Sequence, residues 1–73
     1  MTFSKWLLKK RGFTSNAEFA RILGFSLSSV DCWLYKNTMP RLDNLIQIVC
    51  RLSTVSEQSA HELWQELTPL LHD

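Results

Sequence analysis

Apolar residues recur along the chain at helical spacing, and no stretch alternates as a half-buried strand would. Phe3, Trp6 and Leu7 stand at i, i+3 and i+4, one face of a first helix. Lys9, Lys10 and Arg11 close it and suit its negative end. Gly12 offers a left-handed stop, after which Phe13 is placed to fold back on Leu8. Ser15-Asn16-Ala17-Glu18 has the form of a capping box and opens a second helix. Its apolar face is Phe19, Ala20 and Leu23, and Gly24 ends it. Ser26 caps a third helix with Val30, Trp33 and Leu34 inward, leaving Leu27, Ser28, Asp31, Cys32 and Tyr35 outward.

Asn37 to Pro40 reads as a loop, because proline cannot continue a helix. Leu42, Leu45, Ile46, Val49 and Leu52 predict a fourth amphipathic helix. Ser53 to Ser56 is then a hinge, where Thr54 with Glu57 forms a second capping box and Ser56 is the rival cap. A fifth helix over 56–71 carries Ala60, Leu63, Trp64, Leu67 and Leu71 on one side, with Pro69 ending or kinking it near Leu67. The expectation is one all-α domain over 1–73, with its core in 1–52.

Charge sharpens this picture. The chain of 73 residues has a net charge of only +1, but unevenly spread. Residues 1–52 hold all 8 basic side chains against Glu18, Asp31 and Asp43, a net +5; residues 53–73 hold Glu57, Glu62, Glu66 and Asp73, a net −4. Such asymmetry fits a basic face for a polyanion and an acidic segment kept away from it, as well as ordinary solvated charge. Cys32 and Cys50 read as reduced thiols, one of them a candidate for the core, since no secretory leader precedes them. A cytoplasmic protein is expected, with no segment long enough to span a membrane. The spacing of His61 and His72, and of the two cysteines, does not match a zinc site, and no catalytic triad, carboxylate pair or phosphate loop is visible. Neither an enzyme nor a cofactor nor a small-molecule ligand is expected.

Two helices joined through a glycine turn inside a helical domain are the outline of a helix-turn-helix. The residues allow a closer match. Ser15, Phe19-Ala20, Leu23-Gly24-Phe25-Ser26, Val30, Trp33, Pro40, Leu42, Leu45 and Leu52 fall without a gap on the pattern of the phage repressor and Cro-like family, also called the XRE family. The chain resembles that family over residues 15–52, and the joint match rather than any one position carries the resemblance. It implies a five-helix lambda-repressor-like domain whose third helix enters the major groove of double-stranded DNA.

The resemblance also implies roles by position. Leu27, Ser28 and Cys32 stand where the family reads base edges. Asn16 stands where it contacts a phosphate, and Tyr35, Lys36, Asn37 and Thr38 lie near the DNA backbone. Ser29 is grouped with these backbone contacts, and Arg21 and Arg41 join them as basic neighbours. Asp31 can accept from a cytosine amino group or repel phosphates. The departures are Leu34, where many members have Glu, and Lys36, where many have Gly; Asn37 can supply the left-handed conformation one residue later. Leu34 is then extra core or part of a hydrophobic contact.

The third helix holds few strong base-reading groups. Modest affinity per copy is expected, with binding drawn from backbone contacts and DNA shape. A homodimer on a palindromic operator follows, with Trp64, Leu67 and Leu71 as its contact; simple packing within one chain is the alternative for those three. The expected output is a short repressor of a mobile element that blocks polymerase, with activation through a surface acid such as Glu18 as the variant. The rival expectation is a protein-interaction module of the same fold, an antitoxin or antirepressor.

Overall fold

The computed structural model describes residues 1–71; the expected surface position of His72 and the charge of Asp73 lie outside them. Among the described residues the fold is all-α, with five helices: α1 (Phe3–Arg11), α2 (Asn16–Leu23), α3 (Leu27–Tyr35), α4 (Leu42–Val55) and α5 (Ala60–Leu67). One 3₁₀ turn, Thr68–Leu71, follows α5. None of the helices is long and apolar enough to cross a membrane.

The caps explain most of the boundaries. The side chains of Thr2, Ser15 and Ser26 accept from the backbone N–H groups of Lys5, Glu18 and Ser29, so α1, α2 and α3 each start at a residue that satisfies an orphan donor. Only half of the box expected at Ser15 forms, because the Glu18 carboxylate turns to Arg21 instead of the cap. At Gly24, φ is +81° and the N–H groups of Gly24 and Phe25 both reach the Ala20 carbonyl, which ends α2. Asn37 has φ +54°, as the loop chemistry required.

One core joins all five helices. Phe3, Trp6 and Leu7 of α1, Phe19, Ala20 and Leu23 of α2, and Val30, Trp33 and Leu34 of α3 are buried together with Leu63 and Leu67 of α5. Leu34 is therefore core. Phe25 sets its ring edge-on to Trp33 at 4.9 Å. The buried Ser4 hydroxyl donates to the Trp33 carbonyl at 2.6 Å, tying the start of α1 to the end of α3.

Five expectations need correction. Phe13 does not fold back on Leu8; it is fully exposed, because Gly12 leaves α1 with ψ −126° and turns the chain outward. The buried stripe of α4 is Leu45, Ile48, Val49 and Leu52, while Leu42 (65% exposed) and Ile46 (49%) face solvent. The hinge at 53–56 is not a hinge, since α4 runs through Val55 with Ser53 and Thr54 donating their hydroxyls back to Cys50 and Arg51 carbonyls. The last helix is capped by Ser59, in a reciprocal box with Glu62, and so begins later than residue 56. Neither cysteine is in the core: Cys32 is half-buried and Cys50 exposed, both as free thiols.

The 3₁₀ turn also changes the C-terminal face. Leu67 is fully buried within the chain, which removes it from the expected dimer contact. Leu70, and not Leu71, packs back on the core, while Trp64 is partly buried and Leu71 lies at the surface.

Candidate nucleic-acid interface

The site is built on the turn between α2 and α3. At Gly24 a Cβ would lie 2.8 Å from Gln47 Nε2, so a larger residue there has to displace that side chain as well as adopt a φ of +81°. That amide donates to the Leu23 carbonyl at 2.9 Å, so α4 caps the C-terminal end of α2 from outside. Residues 23–26 are thus held by their own backbone bonds and by α4. With Val30 and Trp33 buried, one face of α3 is committed to the core and the other is left free.

The residues expected to read bases differ in how far they are exposed on this face. Leu27 and Ser28 are exposed in the first turn of α3 and Cys32 is half-buried one turn later. Ser29 is already engaged, its N–H donating to the Ser26 side chain and its hydroxyl accepting from Ser26 at 3.0 Å. Asp31 departs from the expected role. Its carboxylate is half-buried and accepts from Asn16 Nδ2 at 3.4 Å, so it faces α2 more than open solvent.

A polar network joins α1, α2 and α3 at one edge of this face. Arg11 Nη1 donates to Asn16 Oδ1, and to the Tyr35 hydroxyl at 3.1 Å. Asn16 Nδ2 donates to the same hydroxyl at 2.9 Å. Arg11, absent from the expected backbone contacts, is at the centre. The legible sign of it was a cation at the end of one helix, a short loop away from the start of the next.

The remaining backbone candidates are scattered around this edge. Lys36 caps α3 through its backbone, and Lys36, Asn37, Thr38 and Arg41 are all exposed. Arg41 precedes α4, and its guanidinium, which can only donate, forms no ion pair among the described residues. Arg21 is exposed but paired with Glu18, with N–O distances down to 2.5 Å, so its charge is largely answered within α2.

On the far side of α1 a second cluster fastens α5. Glu66 Oε1 takes Lys10 Nζ and Trp6 Nε1, each at 2.9 Å, and Oε2 takes Gln58 Nε2 at 2.5 Å. Hydrogen bonds from Lys10, Trp6 and Gln58 hold the Glu66 carboxyl at about 2, well below its ordinary value. An acid of the C-terminal segment therefore neutralises one of the N-terminal cations instead of standing apart from them. Among the described residues, no group of three or more His, Cys, Asp and Glu side chains is placed to hold a metal ion.

No protein-family model, curated protein or solved structure matches this chain.

Proposed function

We propose that the protein is a helix-turn-helix DNA-binding regulator of the phage repressor and Cro-like type, with α2 and α3 as the motif and α3 as the reading helix. The observation that carries this reading is the turn itself. Gly24 in the left-handed conformation, Ser26 as cap and Val30 and Trp33 in the core leave Leu27 and Ser28 exposed on the first turn of α3. A protruding helix of that kind fits a major groove about 12 Å wide.

Leu27, Ser28 and Cys32 are the base-reading residues in this proposal. Leu27 and the thiol press on thymine methyl groups, and the serine hydroxyl exchanges hydrogen bonds with several bases. Asp31 is a positioning residue for Asn16. Lys36, Asn37, Thr38 and Arg41 follow the DNA backbone. Arg21 adds to them only if DNA draws it from Glu18. So small a reading set discriminates weakly, and a homodimer on an inverted repeat makes up the specificity. Trp64 and Leu71 remain of the proposed dimer contact. The output is repression by occupancy of the operator of a mobile element.

A second reading is favoured by one observation. Leu27, Met39, Leu42 and Ile46 are all more than 40% exposed, apolar side chains that a protein partner would cover. A module of the same fold that binds a protein through these side chains would account for them. Binding to a random-sequence duplex across a range of salt separates the two. Phosphate contacts release counterions, so the DNA reader loses affinity steeply as salt rises, by about 0.9 in the logarithmic slope per phosphate. The interaction module binds the duplex feebly, with little salt dependence.

A further inference from the structure

At the junction of α1, α2 and α3, the hydrogen bonds occupy Asn16, which the resemblance placed on a phosphate, and leave donors free on Tyr35, a residue already among the backbone candidates, and on Arg11, which was not. Asn16 is spent within the protein. Its Oδ1 accepts from Arg11, and its two amide hydrogens go to Asp31 and to the Tyr35 hydroxyl. The carboxylate of Asp31 fixes which way the amide points, with its oxygen toward Arg11. Tyr35 accepts twice, from Arg11 Nη1 and from Asn16 Nδ2, so its own O–H proton is left to point away from both. That side chain is 57% exposed.

Arg11 is similarly arranged. Its Nη1 is occupied by Asn16 and Tyr35, and its Nε is buried without a partner. Its Nη2 makes no hydrogen bond among the described residues and is not buried. Arg11 also has no carboxylate within ion-pairing distance among them; the pairs formed are Lys10 with Glu66 and Arg21 with Glu18. A half-buried guanidinium with unused donors lies next to a hydroxyl with an unused proton, at the positive end of α2; among the described residues no carboxylate pairs with it directly, and Asp31 reaches it only through Asn16. An anion with several acceptor oxygens answers all of these at once.

We propose that Arg11 and Tyr35, with Asn16 as the joint that positions them, form a phosphodiester-binding pair for the DNA backbone. The inference rests on the DNA-binding reading and names the group that anchors the α2 end of the motif. Arg11 Nη2 and the Tyr35 hydroxyl donate to the non-bridging oxygens of one phosphate. Asn16 touches no phosphate in the arrangement described and acts by holding the guanidinium and the phenol side by side.

The test measures binding of the full chain to a short random-sequence duplex over a salt series, for wild type, Arg11→Gln and Tyr35→Phe, with thermal melts of each to establish folding. Arg11→Gln is expected to weaken binding roughly tenfold, as loss of a charged hydrogen bond does, and to make the logarithmic salt slope shallower by about 0.9, the release from one phosphate. Tyr35→Phe is expected to weaken binding about threefold with the wild-type slope, since it removes a donor and no charge. If folded Arg11→Gln keeps the wild-type affinity and slope, the inference is overturned while the DNA reading stands. Should Arg11→Gln fail to fold, Tyr35→Phe decides: wild-type affinity overturns the inference, and a uniform loss across duplexes supports it. If the wild type binds no duplex even at low salt, the inference and the DNA reading fall together.

Discussion

At Gly24 two constraints coincide: a φ of +81°, and a Gln47 amide that would lie 2.8 Å from any added Cβ. Gly24→Ala is therefore expected to cost at least the roughly 1–2 kcal/mol of a left-handed L-residue, with Gln47 displaced from the Leu23 carbonyl as well. Urea unfolding of the two proteins measures it, and an equal midpoint would contradict the account. Glu66 gives a pH signature. Its folded pKa is lowered from 4.5 to about 2, so its contribution is fully present above 4.5 and is lost as pH falls toward 2. Glu66→Gln should flatten the loss of thermal stability across that window and leave the neutral-to-alkaline side of the profile unchanged in shape. Both residues show where the sequence was legible and where it was not. Gly24 was readable because a turn needs a positive φ locally. The bonds of Glu66 to Lys10 and Trp6, and those from Gln47 and Ser4, join residues 23 or more apart, for which neither spacing nor propensity leaves a trace.

Among the elements, α4 carries two overlapping apolar stripes. Leu42, Leu45, Ile46 and Val49 form one; Leu45, Ile48, Val49 and Leu52 form the other, and both have helical spacing. Periodicity cannot choose between stripes that share Leu45 and Val49. Packing against α2 and α5 chooses, and buries Ile48 in place of Ile46. The start of α5 is a similar contest. Thr54 with Glu57 and Ser59 with Glu62 both have the form of a capping box, but α4 gains by running on past Leu52 to Val55, which makes Thr54 an internal helical residue. Ser59→Ala should accordingly cost about 1 kcal/mol, and Thr54→Ala should stay within about 0.5 kcal/mol, both measured by chemical denaturation. For α3, Trp33→Ala is expected to remove about 3–5 kcal/mol, because it empties the space between Phe25 and the core; circular dichroism would then find the domain largely unfolded at room temperature. Changes at Ser28 lie on the opposite face, so Ser28→Gln should leave the melting temperature unchanged while altering which bases are bound. That separation of stability from recognition is the property expected of a reading helix.

At the scale of the molecule, the described residues close a core that takes in three tryptophans, two of them buried and one partly so. The body measures 27 × 26 × 22 Å, small enough for two copies to lie side by side with equivalent helices one turn of DNA apart, about 34–36 Å. The net charge of +1 argues against a polyanion partner, and its uneven spread along the chain leaves the question open. The arrangement argues for one, because Arg11, Lys36 and Arg41 form no ion pairs among the described residues, whereas Lys10 and Arg21 are answered by Glu66 and Glu18. The central claim is that this is a sequence-reading dimer, and selection from a random duplex library with the purified protein at low and moderate salt tests it most directly. The account predicts enrichment of an inverted repeat whose half-sites are one helical turn apart, weaker at the higher salt. Failure to enrich any sequence at either salt would contradict it and leave the protein-binding module as the reading of this fold.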